Sequence, residues 1–257
     1  MKRFFIIVAT ALSLCSCSIL GGIDWNAEGL ASAAGKAATA ASISDEMVVE
    51  LCRQSIVSLD QQNVIDNGAY KQRLARVLSG LTELDGMPLN FAVYKTTDIN
   101  AFACGDGSIR VYSGLMDIMD DEELTAIIGH ELGHVRNKDT KRAIKNAYVA
   151  SAARDILASA GAYGSMASAL LGDIGEALVS AQFSQAQEYK ADEHGCQFAI
   201  DRGLSPYSMY NALNKLNQLS DGSGGSTIAH MFADHPQTEK RMERMKKMAQ
   251  KYIDSQE

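Results

Sequence analysis

The chain has 257 residues, 46% hydrophobic and 7% aromatic, with three prolines and a formal charge of −7. That is enough apolar chain for one sizeable core or two small ones, and its wealth of Ala, Leu, Ile and Met favours helix. So acidic a surface excludes nucleic acid as a partner.

The first residues, "MKRFFIIVATALSLCSCS", carry two bases and an apolar run from Phe4 to Leu14. The run is about half of what a membrane span needs, so it reads as the apolar region of a secretory signal over residues 1–16. Losing Lys2 and Arg3 with it takes the charge from −7 to −9. Bacterial lipoprotein signals resemble Leu-small-small-Cys, and "LCSC" (14–17) fits better than "LSLC" (12–15). Cys17, rather than Cys15, is the expected lipidation site and membrane anchor. Residues 17–43, rich in Gly, Ala and Ser, read as a tether, leaving 44–257 as the folded domain.

A helix is predicted from Asp45 to Asn63, capped by Ser44, with Met47, Val48, Leu51, Ile56 and Leu59 towards the core. A second covers Ala69–Leu81. Then "LNFAVYK" (89–95), "AFAC" (101–104) and "SIRVYS" (108–113) read as strands, the last two forming a hairpin across "GDG" (105–107). Helical pattern resumes at Gly114, broken by "GAYG" (161–164) and "SDGSGGST" (220–227). Pro206 and Pro236 suit helix starts. The fold class is α+β: mainly helical, with one small antiparallel sheet. Of Cys52, Cys104 and Cys196, the first two are the expected disulfide, and Cys196 a small buried residue.

The stretch "AIIGHELGHVRNKD" (126–139) carries the chemistry. Leu124, Ile127, Ile128, Leu132 and Val135 form one apolar stripe, with acids before them and bases after, as a helix dipole prefers. Glu131 falls inside that stripe. A desolvated carboxylate costs several kcal/mol unless it is paired or bound to a metal. His130 and His134 sit one turn apart beside it. The pattern is H-E-x-x-H: two imidazoles on one zinc ion, with Glu131 as general base.

A catalytic zinc usually has three protein ligands. The extended H-E-x-x-H-x-x-G-x-x-H pattern would need Gly and His where Asn137 and Thr140 stand. The best remaining source is "FSQAQEYKADEHGCQFA" (183–199), where Glu188 and Asp192 share a helix face with Gly195 and Ala199. So small a face can press close to another helix. His194 points elsewhere and reads as a surface residue.

"NAFACGDGSIRVYSGLMDIM", "IGHELGHV", "FSQAQEYKAD" and "DHPQTEKRM" together resemble the HtpX and CAAX-prenyl-protease family of zinc metallopeptidases, over residues 45–250. The resemblance is nearest to its soluble bacterial envelope lipoproteins of the LoiP (YggG) type. It implies a zincin-like metallopeptidase domain. It makes Glu188 the third zinc ligand and Asp192 the carboxylate that orients a ligand histidine. Asn100 and Ala101 become the substrate-aligning edge and His235 a transition-state stabiliser. His230 has no such role.

The expected activity is a zinc-dependent endopeptidase, one Zn2+ per chain, acting on unfolded or misfolded proteins of the bacterial envelope. It would face the periplasm, most simply from the outer membrane, and homo-oligomerisation is left open. The alternative is a non-catalytic zinc-containing lipoprotein that binds unfolded or outer-membrane proteins. A third reading has the 139–182 segment gating a latent enzyme.

Overall fold

A computed structural model describes residues 27–146, 149, 183–220, 235–236 and 239–257. The signal segment, Cys15, Cys17, the 161–164 break, His230 and nearly all of the 147–182 segment fall outside them. The chain divides into two compact units, residues 1–41 with 147–170, and residues 42–146 with 171–257.

Within the segment expected as a tether, Ala27–Ser42 forms a helix, α1. The sequence reading named a tether and placed no helix here. Alanine is the best helix former and outweighs Gly29 and Gly35, whereas a flexible chain needs Gly and Ser to dominate.

In the second unit, α2 spans Asp45–Gln62, and the Ser44 hydroxyl accepts the Met47 N–H at 3.2 Å. It buries Val48, Cys52, Ser55 and Ile56; Met47, expected inside, is 45% exposed because it lies off that stripe. Helix α3 (Ala69–Val77) stops short of Leu81, where Gly80 at φ +80° turns the chain. A hairpin follows, β1 (Glu83–Leu84) and β2 (Met87–Pro88), around Asp85 and Gly86 at φ +50° and +82°. The Asp-Gly pair is its sequence signal, hidden by the shortness of the flanking runs.

Strands β3 (Asn90–Tyr94), β4 (Ala101–Ala103) and β5 (Ser108–Tyr112) form a sheet in the order β3-β5-β4. The predicted β4–β5 hairpin is present, turning at Gly107 with φ +84°. However, β3 pairs parallel with β5, so the sheet is mixed rather than purely antiparallel. Alternation along a strand shows which face is buried but not which strand lies alongside, so the sequence pattern could not reveal this. Val93, Ile109, Val111 and Ala101 face the main core. On the other face Arg110, 2% exposed, donates to both Asp60 carboxylate oxygens at 2.8 and 2.9 Å, and the Tyr94 hydroxyl donates to Asp60 at 2.7 Å. Strand β4 lies at the sheet edge.

Helix α4 (Ser113–Ile118) leads into α5 (Asp121–Arg136). The Asp120 side chain accepts the Glu123 N–H at 2.8 Å while the Glu123 carboxylate accepts the Asp120 N–H at 2.9 Å, a reciprocal cap that fixes where α5 begins. Helix α6 (Gln185–Asp201) opens on the same device, Ser184 with Gln187. Helix α7 (Ser208–Ser220) starts just beyond Pro206, and α8 (Glu239–Asp254) buries Arg241, Met245 and Ala249. Leu124, Ile127, Ile128 and Leu132 of α5 meet Leu213 and Leu216 of α7 and Met245 of α8 in one core.

Helices α5 and α6 approach unusually closely, as the small face predicted. A Cβ on Gly133 would stand 3.0 Å from the Ala191 Cα, and one on Gly195 only 2.5 Å from the Ala126 carbonyl oxygen. This contact brings the two motif helices to bonding distance of a common point.

Candidate active site

Helix α5 supplies His130, Glu131 and His134, and α6 supplies Glu188 and Asp192, all essentially buried. His130 Nε2 lies 3.1 Å from His134 Nε2, and His134 Nε2 lies 3.3 Å from Glu188 Oε1. His235, just before α8, adds its Nδ1 at 3.3 Å from His130 Nε2 and 3.1 Å from Glu188 Oε1. Four donors about 2.05 Å from one centre lie roughly 3.3 Å apart in a tetrahedron. His130, His134, Glu188 and His235 therefore fit a four-coordinate metal ion.

The surroundings point the donors inward. His130 donates through Nδ1 to Asp192 at 2.9 Å, and His134 donates through Nδ1 to Asp139 at 2.9 Å, so each presents Nε2 to the centre. Asp192 in turn accepts from Arg241 Nε and Nη2 at 2.8 and 2.7 Å. Arg241 Nη1 lies 2.6 Å from Glu188 Oε2 and donates to the Pro236 carbonyl at 3.2 Å. One buried guanidinium thus ties α6 to the turn that carries His235.

These groups move one another's proton affinities. Burial pulls His130 below its ordinary value against the opposing pull of Asp192. Burial also disfavours charge on His134, but Asp139 and Glu188 outweigh it and raise it to about 9. Burial would raise Glu188, yet His235, His134 and His130 hold it well below the usual carboxylate range. Asp192 is held low in the same way, burial being overcome by Arg241 and His130.

Glu131 is 2% exposed, its Oε1 has no hydrogen-bond partner among the described residues, and His235 Nε2 lies 3.7 Å from it. A buried oxygen left unsatisfied beside four converging donors is what a base awaiting a water's proton requires.

The structure brings together His130, Glu131, His134, Glu188, Asp192 and His235. Asn100 and Ala101 belong to the edge of the sheet, and the Asn100 Oδ1 accepts the Ala101 N–H at 2.9 Å. His194 differs from expectation. It is half-buried against α5, its Nδ1 donating to the Gly129 carbonyl at 2.7 Å, because glycine at 129 leaves that carbonyl open to a side chain. Cys52 and Cys104 are free buried thiols in mutual contact, whereas a disulfide was expected; Cys196 is buried, as predicted. Three contributors escaped the sequence reading: Asp139, Arg241 and Phe183, whose ring stacks on His134 at 4.0 Å. Asp139 was legible as the first carboxylate after the motif, Arg241 only as one base among many in α8.

Two motif helices crossing at a buried His/Glu cluster, beside a small sheet with an open edge, define a zincin-like metalloprotease. The Peptidase family M48 model matches residues 69–249, and the chain belongs to that family. It is 38% identical over 243 residues to Metalloprotease LoiP of Escherichia coli (strain K12), covering 93% of this chain and 92% of that protein. It is 34% identical over 250 residues to Metalloprotease YcaL of the same organism, covering 95% and 96%. A Protease HtpX homolog of Thermococcus sibiricus is 28% identical over 246 residues, covering 80% of this chain and 81% of that protein. Among the described residues no helix is long and apolar enough to cross a membrane.

Proposed function

We propose that this metalloprotease is a zinc endopeptidase of the bacterial envelope that cleaves unfolded or misfolded proteins. His130 Nε2, His134 Nε2 and Glu188 would hold one zinc ion. Nitrogen and carboxylate donors in near-tetrahedral disposition suit zinc, and the ion supplies Lewis acidity that polarises a carbonyl and brings a water's pKa towards about 7. Glu131 takes that water's proton and hands it to the leaving amine. Asp192 and Asp139 keep the two imidazoles in the tautomer that presents Nε2. The observation that carries this reading is the unpaired Glu131 oxygen beside the four donors.

His235 occupies the corner a reacting water needs, so turnover requires its ring to turn away. Once displaced it can donate to the developing oxyanion, the role its motif implies. A closed fourth corner also favours a second reading, a metal centre that only supports a binding protein. Glu131 speaks against it, since a structural site has no use for a base.

Substrates would lie along β4 by main-chain hydrogen bonds, with Asn100 and Ala101 aligning them. Such bonds read no sequence and suit unfolded chains. A lipidated Cys17 would hold the enzyme at the membrane, the outer one by analogy, and homo-oligomerisation remains compatible with this arrangement. The proposal is tested by zinc analysis and cleavage of denatured casein. His130→Ala and Glu188→Ala should lose both; a full zinc content in Glu188→Ala removes that residue from the ligand set.

A further inference from the structure

A cavity of about 250 Å³ opens beside the metal cluster, walled by Val48 and Val49 of α2, Leu84 and Met87 of the small hairpin, and His134 and Val135 of α5. The charged groups around it are satisfied by one another. Arg136 pairs with Asp85 through two bonds of 2.7 and 2.8 Å, and Lys138 and Lys141 both pair with Asp45. The interior is therefore mainly apolar, and each charged side chain at the rim has an opposite partner, Lys138 and Lys141 sharing Asp45. Val49 remains 40% exposed, so apolar surface is left open at the wall.

Gly105, in the turn two residues past the end of β4, also lines the cavity. A Cβ there would stand 3.1 Å from Val48 Cγ1, so glycine keeps this junction clear. In β4, Asn100 C=O accepts the Tyr112 N–H at 3.0 Å and the Cys104 N–H reaches Ser108 O at 2.8 Å, both towards β5. By alternation Ala101 and Ala103 turn their main-chain groups away from β5, the Ala101 N–H meeting the Asn100 Oδ1. A peptide pairing antiparallel with that edge runs from the Gly105 end towards Asn100. Its residues nearest Gly105 are then those on its N-terminal side.

We propose that this cavity receives a large apolar side chain of the substrate, on the N-terminal side of the cleaved bond, and is where the enzyme reads sequence. The inference rests on β4 being the substrate edge. His134 supports it, because this residue belongs both to the metal cluster and to the cavity wall. A main-chain edge holds any extended peptide; an apolar cavity continuous with it selects among them.

The test is cleavage of denatured β-casein by the zinc-loaded enzyme, with the new termini read by mass spectrometry. Wild type should favour Leu, Met or Phe over Ala by about 10-fold at one position N-terminal to the cut. Val49→Trp, a change at an exposed position, should fill the cavity and abolish that preference. Val49→Glu should shift the preference to Lys or Arg at the same position, a gain no damaged fold can produce. A binding readout separates recognition from turnover. Zinc-loaded Glu131→Gln should bind the best-cleaved casein peptide about 10-fold tighter than its Ala-substituted form, and Val49→Trp in that background should erase the difference. An unchanged preference in both Val49 variants, or a preference on the C-terminal side, overturns the inference and leaves the peptidase reading standing. No cleavage by wild type brings down the peptidase reading and this inference with it.

Discussion

Each metal-facing histidine owes its orientation to a carboxylate behind it, and these supports make separate demands. Asp139 accepts from His134 at 2.9 Å and is itself held by Gln187 and Arg142. Asp139→Ala should weaken zinc binding by roughly 10–100-fold while the fold persists, measured by competition with a chelator. Unchanged affinity would mean that Phe183 and packing alone orient the ring. His235 plays a different part, because its Nδ1 both closes the cluster and lies within reach of Glu188. His235→Phe should keep zinc through the other three donors and lose about 10²–10³ in kcat, the usual cost of an oxyanion donor. Turnover at or above the wild-type rate would make His235 solely the group that closes the site. At this scale the sequence was informative wherever chemistry demanded an odd residue, as with Glu131 in an apolar stripe. It was silent on Arg241, since burial of one base in a basic helix leaves no local mark.

At the scale of elements, the site depends on how closely α5 and α6 approach. Gly195 and Ala199 were legible as a small face, and the structure sets Gly195 against Gly129 and its neighbours on the partner helix, which the sequence reading had not singled out. Gly133→Ala would set a methyl 3.0 Å from both the Ala191 Cα and the His194 Cβ, so the helices must part by a few tenths of an ångström. Overpacking of this kind costs about 1–3 kcal/mol, and chemical denaturation should show that loss together with weaker zinc binding. A neutral substitution would show that the interface has slack. Helices with caps and periodic stripes were foreseen within a few residues, as Ser44 and α2 illustrate. The parallel pairing of β3 with β5 was not, because register between distant strands is a tertiary choice that short runs do not encode. The α1 helix was missed because composition alone suggested a tether there.

For the molecule as a whole, buried Arg–carboxylate pairs tie stability to pH. Asp60 lies below its ordinary value chiefly because Arg110 donates to it, with Tyr94 adding to the effect against burial. Asp192 is low because Arg241 and His130 overcome the effect of burial. A carboxyl depressed in the folded state stabilises it fully above the unfolded value near 4 and loses that contribution as pH falls through the folded value. The melting temperature should therefore hold at neutral pH and drop below about pH 4, and Asp60→Asn should flatten part of that drop. An identical acid profile in Asp60→Asn would remove this pair from the account.

The central claim is that this family M48 protein is an enzyme whose base is Glu131, and one substitution separates it from every structural alternative. Glu131→Gln preserves shape and touches no metal-holding atom, so it should retain the wild-type zinc content. Zinc per chain and cleavage of denatured casein should be measured on the same preparation. The account predicts about one zinc per chain in both proteins and a loss of cleavage of roughly 10³-fold or more in the variant. Equal cleavage by the two proteins at equal zinc content would contradict it.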